Sequence, residues 1–337
     1  MAEIYFDDDA DLGLLKDKVI GVIGYGNQGR AQAWNLRDSG LQVLVGNRED
    51  DYAAAARRDG FQVLSVAEAA GRAHVLLLLI PDEILPAVFA QEIGPQLSPD
   101  KVLVFASGYN IYYRQVEPPP YVDVVLVAPR MIGKGVREGF LSGKGFPSLI
   151  AVHQDHSGQA LPITLAIAKG IGSTKGGAVM SSFAEETICD LFNEHFGYLY
   201  SIRRAYEVLR EAGCSPEAIL LEFYASGEEM ELARAHYEIG LWHQLPLHSQ
   251  TSQYGQEVTA RLSPEEEEQE RARLRRIVEN ITSGRFAKEW TLEQQAGYPM
   301  WKRLRAQNLE HPMIVEERKL YRRLGRIPPE GEAAGSG

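Results

Sequence analysis

Asp190 and Glu194 stand four residues apart in FAEETICDLFNEHFG, Phe183 to Gly197, a spacing that places both carboxylates on one face of a helix. Two negative charges there repel unless something cationic sits between them, and the apolar neighbours Leu191, Phe192 and Phe196 predict that the pair faces an interior. Hard oxygen ligands of this kind suit Mg²⁺. The same spacing fits a solvated helix in which Glu185, Glu186, Asp190 and Glu194 all meet water, so spacing alone leaves both readings open. A second acidic stretch, LLEFYASGEEMELARAHYE, carries Glu222, Glu228, Glu229 and Glu231. After it the hydroxyl-rich HSQTSQYG, His248 to Gly255 with Ser249 and Ser252, could hold a substrate carboxylate.

The other chemistry-bearing stretch is KVIGVIGYGNQGRAQAWNLRDSG, Lys18 to Gly40. It reads as a buried strand (Val19 to Ile23), a glycine turn and a helix toward Ser39. Gly24 allows the tight bend, Gly26 lets a pyrophosphate approach the backbone, and Gly29 lets the helix pack on the strand. With Tyr25, Asn27 and Gln28 these residues form a candidate dinucleotide site, where free N–H groups at the helix start meet phosphate.

Apolar runs recur at Gln42 to Val45, His74 to Ile80, Lys101 to Phe105, Val122 to Val127 and Leu149 to Val152, with a possible short strand at Phe61 to Leu64. Their continuous apolar character predicts strands of a parallel sheet covered on both faces, a doubly wound α/β (Rossmann) domain over residues 1–155 with its ligand at the carboxyl ends of the strands. After the second strand, GNREDDY presents Arg48, Glu49, Asp50 and Asp51 where the cofactor ribose is expected. A 2′-phosphate meets repulsion from these acids and a ribose diol can donate to one of them, which favours NADH over NADPH; the acids can equally cap the helix near Tyr52. IPDE (Pro81, Asp82), FASGYN (Ser107) and APRMIGKGVRE (Arg130, Gly133) would wall the same cleft.

Beyond His153 strand signals stop, and helical segments follow from Ser157 to Leu324, predicting an all-α domain over 156–327. PEEEEQERARLRR, Pro264 to Arg276, has acids three or four residues ahead of arginines, which suits a solvated helix without chemistry. The tail 328–337, PPEGEAAGSG, is expected to be disordered.

The chain has 337 residues, 45% hydrophobic, long enough for two domains. A net charge of −11 argues against nucleic acid or an anionic membrane as partner and for a small-molecule task. The apolar run Val75 to Ile80 is too short to span a bilayer and the acidic start lacks signal-peptide character, so a cytoplasmic location is expected. Cys189 and Cys214, read as helical, are expected to be buried reduced thiols.

Taken together and in order, GYGNQGRAQAWNLRDSG, IPDE, APRMIGKGVRE, IAVHQDHSGQA with AKGIG, EETICDLFNEH, HSQTSQYG, and RFAKEWTLEQQAGYP with NLEHP resemble ketol-acid reductoisomerase (acetohydroxyacid isomeroreductase) from about Ile4 to Leu324. The length is similar to that of the short form, which implies a knotted helical domain and a homodimer whose partner chain completes each active site. The resemblance implies two Mg²⁺ ions held by Asp190, which bridges them, and Glu194. Glutamates from the partner's later helix would complete the set, with Glu228 at the second position and Tyr224 at the first. Glu222 or Glu229 are the possible substitutes. The serine that holds the substrate carboxylate falls on Ser249. The implied reaction takes a 2-hydroxy-3-keto acid such as 2-acetolactate, removes the C2 hydroxyl proton, moves an alkyl group to C3 and delivers hydride to the new C2 ketone. In this reading Glu228 is a possible proton acceptor.

At two positions the chain departs from the family pattern: Ser107 stands for the usual His and Arg130 for the usual Lys. Ser107 cannot titrate near neutrality; Arg130 keeps the charge and grips two oxygens but cannot shuttle a proton. Two explanations follow, a divergent branch that moves protons through metal-bound water, which is favoured, and a metal-dependent 2-keto acid reductase without alkyl migration; a nucleotide-binding homologue without catalysis is the alternative from another class.

Overall fold

A computed structural model describes residues 2–328. The tail expected over 328–337 therefore lies, from residue 329 on, outside the described residues. The chain divides into two compact units, the first ending at Leu191 and the second starting at Phe192.

The first unit is built on a sheet of order β1-β9-β8-β7-β6-β5-β2-β3-β4. In chain order the strands are β1 (Ile4–Tyr5), β2 (Val19–Ile23), β3 (Gln42–Gly46), β4 (Gln62–Leu64), β5 (Val75–Leu78), β6 (Val102–Phe105), β7 (Asp123–Pro129), β8 (Ser148–Gln154) and β9 (Ala178–Met180). The helices between them are α1 (Asn27–Asp38), α2 (Asp51–Arg58), α3 (Val66–Arg72), α4 (Leu85–Val88), α5 (Tyr109–Tyr112), α6 (Gly133–Leu141) and α7 (Ala160–Ile171), followed by α8 (Phe183–His195). β5, β6 and β7 are buried along their whole length, as expected of strands covered on both faces. Ala33, Leu36, Ile167 and Ile171 pack one layer on the sheet, and Val66, Ala69, Ala70 and Ile111 pack the other. The unit is thus doubly wound. Strand order reverses between β2 and β5, which places the ligand crevice at their carboxyl ends.

Three expectations are corrected here. The sheet is mixed, because β8 pairs antiparallel with β7 (Pro129↔Ser148, Leu126↔Ala151). α6 packs against α1 and returns the chain to the edge it left, where Arg130 N–H donates to Pro147 O at 2.9 Å, so β8 must run back down the sheet. Strand structure also continues past His153: β9 pairs parallel with β8 and antiparallel with β1. Because α7 and β9 join this sheet, the first unit extends to Leu191 and not to the expected limit near 155. Finally, Cys189 and Cys214 are free but exposed, and Cys214 lies in a loop, outside any helix.

The second unit is helical: α9 (Tyr198–Glu211), α10 (Pro216–Leu220), α11 (Glu228–Ile239), α12 (Gln250–Tyr254), α13 (Pro264–Thr282), α14 (Arg285–Gln295), α15 (Pro299–Leu309) and α16 (Pro312–Arg323). Its core gathers Tyr206, Ile219, Leu220, Ala225, Met313 and Leu320. α13 is the expected solvated helix, opened by a Ser263/Glu266 capping box and laced by Arg271–Glu267 and Arg273–Glu270 pairs, each at 2.7 Å. Many large apolar side chains of this unit are exposed, Tyr237 at 83% and Trp242 at 63% among them. Among the described residues no helix is long and apolar enough to cross a membrane.

Candidate functional site

Gly24 and Gly29 have the bend and the close packing their spacing predicts. Gly24 has φ +93°, a left-handed value that glycine adopts without strain, and a Cβ there would lie 2.6 Å from Ile80 Cγ2. A Cβ on Gly29 would come within 2.0 Å of Gly24 O, so only glycine lets α1 seat against the turn. At Gly26, by contrast, a Cβ meets nothing within 4 Å: the space above that backbone is open.

That space belongs to a cleft of about 650 Å³ at the strand carboxyl ends. Gly24, Tyr25, Gly26, Asn27 and Gln28 form one wall, Arg48 and Asp50 a second, and Pro81, Asp82 and Ser107 a third. The Tyr25 ring is buried against Phe61 and its hydroxyl donates to Asp59 Oδ2 at 2.8 Å, so its contribution to the cleft is mainly backbone. Burial raises that phenol's pKa well above its ordinary value. Gln28 Nε2 donates to Met131 O at 2.8 Å, joining the glycine turn to the loop after β7.

Two expected cofactor contacts lie elsewhere. Glu49 is held by both guanidinium nitrogens of Arg57 and is absent from the cleft lining; that pairing, ahead of the small desolvation, holds its carboxyl below the ordinary value. Gly133 meets α1, where a Cβ would be 2.1 Å from Asn27 O, so it serves helix packing. Asp50 does two jobs: it caps α2 by accepting from Tyr52 N at 2.9 Å and Ala53 N at 3.1 Å, and it pairs with Arg48 Nε at 2.9 Å. Asn47, which sequence reasoning did not single out, locks this corner by accepting from Tyr25 N at 3.3 Å and donating to Asp50 Oδ1 at 2.8 Å.

At the third wall, Ser107 Oγ–H donates to Asp82 Oδ2 at 3.3 Å and Asn110 Nδ2 donates to Asp82 Oδ1 at 2.9 Å. Burial is the chief reason the Asp82 carboxyl is pushed up to about 6; the Ser107 bond opposes it, and Glu186 and Glu83 add to it. One residue along, Gly108 N–H donates to Glu186 Oε2 at 2.6 Å. Glu186 is 2% exposed at its side chain, and its other oxygen accepts from Arg130 Nη2 at 2.8 Å. Arg130 Nη1 reaches Asp190 Oδ1 at 3.0 Å, so one guanidinium spans two carboxylates on successive turns of α8. Burial raises the Glu186 pKa, partly offset by Gly108 and Arg130.

The interior placement expected for Asp190 and Glu194 is corrected: Asp190 is 47% exposed at its side chain and Glu194 is exposed. The buried acid of this helix is Glu186, at the inward phase one turn earlier. Its spacing of four residues from Asp190 was the available signal. Among the described residues no group of three His, Cys, Asp or Glu side chains converges as a metal site. Within the second unit Glu222 and Glu228 are exposed, Glu229 accepts from Tyr198 at 2.9 Å, and Tyr224 donates to Glu317. Ser249 caps α12 by accepting from Ser252 N at 3.3 Å.

The model of the acetohydroxy acid isomeroreductase NADPH-binding domain matches residues 14–177, and that of the ketol-acid reductoisomerase C-terminal domain matches residues 183–324. The chain belongs to the ketol-acid reductoisomerase family. The ketol-acid reductoisomerase (NADP(+)) of Pyrobaculum calidifontis is 46% identical over 95% of this chain and 99% of its own length. That of Methanopyrus kandleri is 42% identical over 96% and 99%. Among solved structures, an NADH-preferring ketol-acid reductoisomerase from an uncultured archean superposes with a TM-score of 0.88 at 35% identity, covering 95% of this chain and 98% of that one. The first unit is accordingly a nicotinamide-cofactor domain, and the chain is an oxidoreductase of this family.

Proposed function

We propose that the protein is a Mg²⁺-dependent reductoisomerase of branched-chain amino-acid synthesis in the cytoplasm, converting 2-acetolactate-type acids to 2,3-dihydroxy acids as a homodimer. The carrying observation is the Gly108–Glu186 hydrogen bond at 2.6 Å, which ties the acidic helix to the residue beside Ser107 in the cofactor cleft.

The donor set fits a hard cation. Asp190 offers carboxylate oxygen at a half-exposed position, one oxygen paired with Arg130, and Glu194 stands one turn further on. Asp190 and Glu194 would hold the two metal ions, with Glu228 of a second copy completing the set; when bound, Mg²⁺ supplies Lewis-acid stabilisation of developing alkoxide charge. Gly24, Gly26 and the N-terminus of α1 bind the cofactor pyrophosphate. Arg130 keeps positive charge beside Glu186 and Asp190 and cannot give up a proton at working pH. Ser249 and Ser252 orient the substrate carboxylate. The many exposed large apolar side chains of the second unit, Tyr237 and Trp242 included, support the dimer.

NADH is the favoured cofactor. Arg48, which lines this corner of the cleft, is paired through Nε with Asp50, so a 2′-phosphate would meet that carboxylate beside the guanidinium. The relatives named above as NADP(+) enzymes make this a point for direct comparison.

The second reading, a 2-keto acid reductase without migration, is favoured by one observation, the presence of Ser107 and Arg130 where the family carries His and Lys. Oxidation of NADH and NADPH with 2-acetolactate, with and without Mg²⁺, tests the main reading. It expects metal-dependent turnover that Asp190→Asn reduces at least ~100-fold; turnover indifferent to Mg²⁺ would refute it.

A further inference from the structure

We propose that Asp82 is the positioning residue that holds the proton for Ser107, the two side chains forming a relay in the position where the family carries a single histidine. This rests on the reductoisomerase reading above.

The hydrogen bonds around Ser107 set the direction of its hydroxyl. Tyr109 N–H donates to Ser107 Oγ at 3.3 Å and Ser107 O–H donates to Asp82 Oδ2 at 3.3 Å. One lone pair of the oxygen is thereby taken, its hydrogen points at the carboxylate, and the second lone pair is left to accept from a substrate hydroxyl in the cleft that Ser107 lines. Asn110, fully buried in α5, donates to the other Asp82 oxygen at 2.9 Å, and its own Oδ1 has no partner among the described residues. An amide serves both protonation states of a carboxyl group: its NH₂ donates to the carboxylate, and after a flip its oxygen accepts from the acid.

A serine alone accepts no lasting proton near neutrality. The partly buried Asp82, facing Glu83 from its own loop and Glu186 (with its Arg130 partner) from α8, exchanges a proton near pH 6, close to the range in which a general base works best.

The step balances without electrons. The C2 hydroxyl proton passes to Ser107 Oγ as the serine's own proton passes to Asp82 Oδ2. Once the alkyl shift has made the C3 oxygen an alkoxide, the same route returns one proton to it. The hydride and the proton of the reduction are separate and come from the nicotinamide and water.

The test combines a titration and a rate profile on the full-length protein. Carboxyl ¹³C NMR identifies Asp82 as the resonance absent from Asp82→Asn; its midpoint is expected near 6 and should move upward in Ser107→Ala, where the ionised form loses a donor. With 2-acetolactate, kcat/KM of the wild type should fall below about pH 6. Asp82→Asn should lose that acid limb with kcat down ~100-fold and KM for 2-acetolactate changed far less, as expected for a residue that acts through another. Asp82→Asn/Ser107→Ala should be no slower than either single variant. An acid limb retained in Asp82→Asn, or an Asp82 titration indifferent to Ser107→Ala, overturns the relay. A wild type without turnover sinks the reductoisomerase reading, while the titration still decides the pairing.

Discussion

Arg130 Nη2 lies 2.8 Å from Glu186 Oε1, and the Glu186 side chain is 2% exposed: the guanidinium neutralises a buried acid on a helix that also carries the half-exposed Asp190. Removing Arg130 leaves Glu186 charged and unpaired. Arg130→Met is therefore expected to cost about 3 kcal/mol near pH 8 in denaturant melts. The Glu186 pKa is already raised by burial, and losing Arg130 raises it further, so the deficit should shrink as pH falls and Glu186 takes up its proton. A deficit independent of pH would show that Arg130 acts through packing alone.

Asp82 gives a pH dependence of stability with a definite sign. Its folded pKa, about 6, lies above the ordinary carboxyl value, so the folded state holds a proton the unfolded chain releases. That contribution is fully present below the unfolded pKa and is lost as pH rises through 6. Asp82→Asn, which cannot ionise, should melt higher than wild type at pH 8 and lose that advantage by pH 4. Equal melting temperatures at pH 8 would contradict the burial argument.

Two glycines of one turn should behave differently. Gly29→Ala drives a methyl to 2.0 Å from Gly24 O and should destabilise the first unit by about 3 kcal/mol or more. Gly26→Ala meets nothing within 4 Å among the described residues, so thermal melting should be unchanged while NADH affinity, read by fluorescence, falls about tenfold or more. Unchanged affinity would move the pyrophosphate away from this turn.

The many exposed large apolar side chains of the second unit predict a solution mass of at least twice the 37.5 kDa chain by light scattering. Tyr237→Asp or Trp242→Asp should shift the population toward single chains and reduce turnover in parallel, because the proposed site draws Glu228 from a second copy. A fully active monomer would remove the shared-site account.

Much of this was legible in the sequence because it depends on local pattern. The glycine turn after Val19–Ile23 has only one comfortable backbone path, and five long apolar runs have only one way to be buried. What was not legible depends on partners distant in the chain. Strand direction leaves no mark in hydropathy, so β8 read as parallel, and β9 has three residues, too few to show a period. At Glu185 and Glu186 the residue type is the same and only helix phase separates the solvated acid from the buried one. The acids after Arg48 divided their tasks through Arg57 and the backbone of Tyr52, contacts that spacing cannot apportion.

The most direct test of the reductoisomerase account is a side-by-side assay with NADH and Mg²⁺ of 2-acetolactate and of 3-hydroxy-3-methyl-2-oxobutanoate, which needs only reduction. Turnover of both compounds is the predicted result, with alkyl migration preserved despite Ser107 and Arg130. Turnover of the second compound alone would contradict it and leave a metal-dependent reductase.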